Sequence, residues 1–141
     1  MPEDVEKNIG INKDYNFFEL QKALGNRDIL KSNRIVNYFI DNEKQNPMVL
    51  IIGNLVTFFR KILIYHSLEN KNDRNVVVQK LGVNPFFLND YINAAKNYNL
   101  DKCVNTISII REFDLRSKGG RGGSTANGEL LRELVYKILH N

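Results

Sequence analysis

The stretch PMVLIIGNLVTFFRKILIY, residues 47–65, constrains the fold more than any other. Met48, Ile52, Leu55, Phe59 and Ile62 recur at spacings of four, three, four and three, which aligns them on one face of an α-helix. Val49, Ile51, Val56, Leu63 and Ile64 fill most of the remaining circumference. A helix apolar on nearly all sides is expected to be buried on several sides. Pro47 falls in the first turn, where its missing N–H costs little. At about 1.5 Å per residue, a helix over 47–68 is about 30 Å long. Such a length suits a membrane span, but Asn54, Thr57 and the adjacent cations Arg60 and Lys61 interrupt the apolar run. The reading is therefore the central helix of a bundle, with no membrane partner.

The rest of the chain must cover that helix, and it too reads as helical. Apolar residues recur three and four apart, with no sustained alternation. PEDVEKNIG reads as a short helix with acids in its first turn, ending at Gly10. INKDYN is a polar connector. FFELQKALG reads as a second short helix, closed by Gly25 in a left-handed C-cap. RDILKSNRIVNYFIDNEKQN places Ile29, Leu30, Ile35, Val36, Phe39 and Ile40 toward one broad face, and Asn46-Pro47 breaks it. VVVQKLGVNPFFLNDYINAAKNYN reads helix, turn, helix. Asn84 is its N-cap, Pro85 its first helical position, and Phe86, Phe87, Tyr91 and Ile92 supply bulk for burial. LDKCVNTISIIREFDLRSK carries Asp101 early and Arg116 and Lys118 late, the charge order that complements a helix dipole. GELLRELVYKILHN sets Leu130, Leu134, Val135 and Ile138 on one side. SKGGRGGSTANG joins these last two helices and offers Thr125 or Asn127 as the next cap. The expected class is all-α, a bundle of about five to six helices.

Composition and motif spacing exclude much chemistry. The 141 residues suit one domain, and the formal charge of +4 permits a nucleic-acid or acidic partner without demanding one. Cys103 cannot form an internal disulfide, and its apolar-periodic setting reads as core. A single cysteine and an acidic, polar start without signal-peptide character suit a reducing, cytoplasmic setting. His66 and His140 lie far apart and, with one cysteine, make a poor zinc set. Glu129 and Glu133 read as a solvated face with Arg132 and Lys137 as neighbours, not as an acid/base pair. GGRGGST has no lysine before the hydroxyl residue, and a helix, not a strand, precedes it, so it is not a phosphate-binding loop. No catalytic residue, metal ligand or cofactor contact is identified.

What remains is contact chemistry. The candidate DNA or partner contacts are Arg60, Lys61, Arg116, Lys118 and Arg121. QKLGVNPFFLNDYI has the outline of a DNA-binding helix-turn-helix, but its second helix offers aromatics where base-reading polar groups belong. FFRKILIY mixes aromatics with cations, a composition that can clamp single strands, though at helical spacing Phe58 and Phe59 read as core. A helical nucleic-acid-binding module, helix-turn-helix-like or single-strand binding, is the alternative to an assembly module.

Read together, several stretches resemble the C-terminal part of the DNA polymerase III delta subunit of the bacterial clamp loader. These are PEDVEKNIG with FFELQKALGNRD, NPMVLIIGNLVTFFRKILIY, LGVNPFFLNDYINAAKNY, and IIREFDLRSKGG followed by ELLRELVYKIL. The match runs over nearly the whole chain and rests on the order and spacing of packing residues. The glycine-rich GGRGGS departs from the family pattern at the last helix–helix joint. The resemblance implies a helical collar domain over residues 15–141, with residues 1–14 a remnant of a preceding AAA+-like lid domain plus connector. It implies an oligomerisation role in a machine that loads the sliding clamp on DNA during replication. The implied partners are the other clamp-loader subunits through the collar, and the sliding clamp through an N-terminal domain that the chain lacks. The parent is then a non-catalytic subunit of the DNA polymerase III holoenzyme, a DNA-directed DNA polymerase.

Overall fold

The computed structural model of the chain describes residues 12–119 and 123–141, with side chains in the second stretch from residue 127 onward. The described helices are α1 (Phe17–Gly25), α2 (Ile29–Asp41), α3 (Met48–Ser67), α4 (Arg74–Leu81), α5 (Leu88–Asn97), α6 (Leu100–Lys118) and α7 (Gly123–Leu139). A 3₁₀ turn, Pro85–Phe87, leads into α5. No strand occurs among the described residues. The all-α class follows from the periodicity, and the short helices α1 and α4 take the count above five or six. The helix expected to end at Gly10 lies outside the described residues.

Short polar residues set the starts. Asn16, Asp28, Asp73, Asn84 and Asn99 each accept a backbone N–H two or three residues ahead, satisfying groups the first turn leaves orphaned. Asn84 does so for the 3₁₀ turn, with Pro85 just inside it. Pro47 is the N-cap of α3, one residue before the first turn. The chain meets α7 differently from the sequence expectation. The helix already begins at Gly123, so Thr125 and Asn127 lie within it and neither is its cap.

Gly25 also plays a different part. It is the last residue of α1 and is not left-handed; the left-handed residue is Arg27, at φ 54°. Gly25 is needed for proximity, because a Cβ there would sit 2.9 Å from the Cβ of Ala94 in α5. A left-handed glycine does end α4, at Gly82 with φ 66°.

Helix α3 organises the bundle, packing on α6 over its length and also on α5, α4 and α1. Helix α7 closes the fold against α6 and α2. The predicted stripe of Met48, Ile52, Leu55, Phe59 and Ile62 is buried throughout, joined by Ile51 and Phe58. Phe59 meets Tyr98 edge-on at 5.1 Å and Phe58 at 5.3 Å, a geometry that aromatic quadrupoles favour. Helix α3 is not buried all round, however. Val49 is 62% exposed, and Leu50 and Ile64 are also exposed. Of the six apolar residues expected on one face around α2, Ile29 and Leu30 face solvent. Phe86, expected to supply buried bulk, is 84% exposed, because the 3₁₀ turn rotates it away from the face that carries Leu88 and Tyr91 inward. In α7 the buried side comprises Leu131, Leu134, Val135, Ile138 and Leu139, with Leu130 at its edge.

Candidate interaction surfaces

The most extensive helix pairing in the bundle, α3 against α6, also borders a cationic cleft. The start of α3, Met48 and Val49, shares a lining with Ser117 and Lys118 at the end of α6, and His66 near the end of α3 reaches Tyr98 just ahead of α6, so the two helices run antiparallel. Their outer edges frame an open cleft with Val56 and Ile52 at its base. Arg60 and Lys118, both sequence candidates, share this cleft with Arg111. Lys118 is held by Asp114 at 3.0 Å, one turn back on the same helix. Arg111 was missed in the sequence, yet the signal is there: residues 111, 114 and 118 are spaced three and four apart, on one helix face.

The other candidates do not join this group. The Nζ of Lys61 donates to the carbonyl of Gly82 at 3.1 Å, tying α3 to the end of α4. Arg116 faces α7, where it pairs with Glu133 at 2.8 Å and lies over the Phe113 ring at 4.6 Å. That pair is half-exposed on both sides, so it contributes at most about 1 kcal/mol. Glu133 is thus partnered by Arg116, while Arg132 donates to the Asn37 side chain on α2; neither pairing is the one the sequence suggested. Arg121 lies outside the described residues.

The aromatic-cation motif loses its stacking groups to the core. Phe58 and Phe59 are fully buried, so neither is available to stack on a base. The second helix of the helix-turn-helix outline, α5, turns Leu88, Tyr91, Ala94 and Ala95 inward. Outside it, Phe18, Phe86 and Phe87 form a partly exposed aromatic cluster, with Phe18 stacked on Phe87 at 4.6 Å.

A structural node missed in the sequence lies where helix C-termini converge. Arg27 donates from Nε to the Asn97 carbonyl at 3.1 Å and from Nη1 to the Leu139 carbonyl at 3.0 Å, and its guanidinium sits 4.0 Å over the Tyr98 ring. The Tyr98 hydroxyl donates to the Leu24 carbonyl at 2.7 Å. The ends of α1, α5 and α7 are thus held by one cation and one phenol, a placement that helix dipoles favour. His66, in the last turn of α3, has Nε2 2.7 Å from the Tyr98 carbonyl. Burial pushes the Tyr98 hydroxyl up to about 12, against the opposing pull of Arg27. Burial pushes the Cys103 thiol up to about 11, which places it as an inert core residue. Among the described residues, no three His, Cys, Asp or Glu side chains gather as a metal site.

In class the chain is an all-α bundle, with a buried apolar interior and with cations and several large apolar groups left on outer faces. The chain belongs to the family of the DNA polymerase III delta subunit, C-terminal domain, whose pattern matches residues 14–134. Its fold is similar to that of the Bacillus subtilis DNA clamp loader delta protein (YqeN), with a TM-score of 0.71 at 23% identity. That similarity covers 98% of this chain and 40% of that protein, so the chain spans well under half its relative's length. No curated protein matches the chain by sequence.

Proposed function

We propose that this chain acts as the oligomerisation collar of a clamp-loader delta subunit, the helical part through which that subunit joins its neighbours. The observation that carries the reading is the family match over residues 14–134. Large apolar side chains left on the surface, among them Val49, Leu50, Leu115 and Tyr136, agree with it, since such groups supply the area that association buries. On this reading residues 15–141 are the collar, and residues 1–14 belong to the connector from a preceding AAA+-like lid domain. The partners are the other clamp-loader subunits. Contact with the sliding clamp falls to another domain of the parent, which is a non-catalytic, cytoplasmic component of the DNA polymerase III holoenzyme. Arg60, Lys118 and Arg121 are the proposed partner contacts, while Lys61 and Arg116 are engaged within the chain by Gly82 and Glu133.

The test is reconstitution. Full-length delta subunit, with and without residues 15–141, is mixed with the purified partner subunits of the same organism and run on size-exclusion chromatography. Loss of the complex on deletion is expected. A complex of unchanged composition and affinity without these residues would remove the basis for the collar role.

A further inference from the structure

We propose that the cleft between α3 and α6 receives an acidic amphipathic helix of a neighbouring subunit, a reading that rests on the assembly role above. Three features of the cleft select this occupant. Its cations are in excess: Arg60, Arg111 and Lys118 face Asp114 as the sole acid among the described lining residues. Arg60 and Arg111 make no ion pair or hydrogen bond among the described residues, so their charge is available to an incoming carboxylate. The base and lip are apolar, with Val56 half-buried and Val49 exposed, which suits the apolar stripe of a helix laid in a groove.

The third feature is Gly53, exposed in the second turn of α3 on the same wall. A Cβ there would meet nothing within 4 Å, so packing within the chain does not require glycine. Glycine inside a helix is destabilising relative to alanine, and its use is to let another backbone come close. The notch therefore serves an external contact. The cations and the glycine notch would serve a phosphodiester as well as a carboxylate, but Val49, Ile52 and Val56 offer nothing to a phosphate backbone and match the apolar stripe of a helix, so the apolar lining selects a peptide over nucleic acid. Charge across such a rim acts mainly on the association rate and its salt dependence, while the apolar floor and close approach govern dissociation.

The experiment uses full-length delta subunit and purified cognate partner subunits, with affinity measured by biolayer interferometry at two salt concentrations. Arg60→Glu/Arg111→Glu and, separately, Gly53→Leu are each expected to weaken assembly at least tenfold. Lys102→Glu, at the far end of α6, is expected to leave it unchanged. Gly53→Ala is the internal control for folding, expected to raise the Tm by about 1–4 °C while still weakening assembly. A photo-crosslinker at Thr57 is expected to capture an acidic helical segment of a partner. Undiminished assembly in the Gly53→Ala and double-charge variants overturns the cleft proposal and leaves the collar role standing. Failure of the wild-type protein to assemble overturns both. A crosslink to a segment without acids, or loss of primed-DNA binding with subunit affinity intact, also overturns it, the latter assigning the cleft to nucleic acid.

Discussion

Replacing Arg27 with alanine tests the claim that one side chain closes the bundle where three helices end. The substitution removes hydrogen bonds of 3.1 and 3.0 Å to the Asn97 and Leu139 carbonyls and the cation from the face of Tyr98. A hydrogen bond from a charged group is worth about 1.5–3 kcal/mol net, and a cation–π contact about 0.5–2 kcal/mol. Arg27 is only half-buried and the contact to Asn97 is open to water, so the low ends apply. The expected loss is about 2–4 kcal/mol, or roughly 6–12 °C in Tm for a chain of this size. Arg27 also sits at φ 54°, where a side chain is strained. Arg27→Gly removes the same contacts and relieves that strain, so it should be more stable than Arg27→Ala by about 1 kcal/mol. Urea unfolding followed by far-UV circular dichroism, compared at constant m-value, reads both differences. If Arg27→Ala falls within about 0.5 kcal/mol of the wild type, or if the glycine variant is the weaker of the two, the convergence of helix ends on Arg27 does not stabilise the fold as argued.

Three further outcomes follow from the packing. Tyr98 and Cys103 hold their protons longer folded than unfolded, with pKa values pushed up to about 12 and about 11 from ordinary values of 10.0 and 9.0. Their stabilisation is therefore complete below about pH 9 and lost as pH rises through 9 to 12, with an order-of-magnitude size of 2–3 kcal/mol for each group. Urea midpoints at pH 8 and pH 11.5 measure the loss, and Tyr98→Phe should shrink its upper part. Gly25→Ala should cost about 1–3 kcal/mol, since the new methyl meets Ala94 at 2.9 Å between packed helices; a neutral result in thermal melts would show that α1 and α5 can separate freely. Phe59→Ala should cost about 3–5 kcal/mol and Phe86→Ala less than about 0.5 kcal/mol, a contrast that denaturant unfolding of the two variants resolves.

The sequence carried the class and the central helix because a helix face repeats every three or four residues and leaves its mark on local spacing. Met48, Ile52, Leu55, Phe59 and Ile62 are legible in that way, and Cys103 and the Asn84 cap are as well. The family resemblance was legible for the same reason, since it rests on the order of packing residues, and the match over residues 14–134 bears it out. Side chains such as Phe86, Leu30 and Val49 were not legible. Their exposure depends on which neighbouring helix arrives, and apolar residues all around α3 look alike until α6 covers one side and leaves the cleft open. Gly25 reads from the sequence as a cap, and only the position of Ala94 in a helix about seventy residues away shows it to be a close contact. Arg27 belongs to the same group. No local pattern distinguishes it from any other surface arginine, and its part exists only because the ends of α1, α5 and α7 meet in space. The sequence alone determined which segments coil and which faces seek burial, since both are properties of neighbours along the chain. The tertiary structure alone decided which charges share a cleft, which carbonyls share a cation and which apolar groups remain for a partner, since those depend on distances between segments that the chain's order does not encode locally.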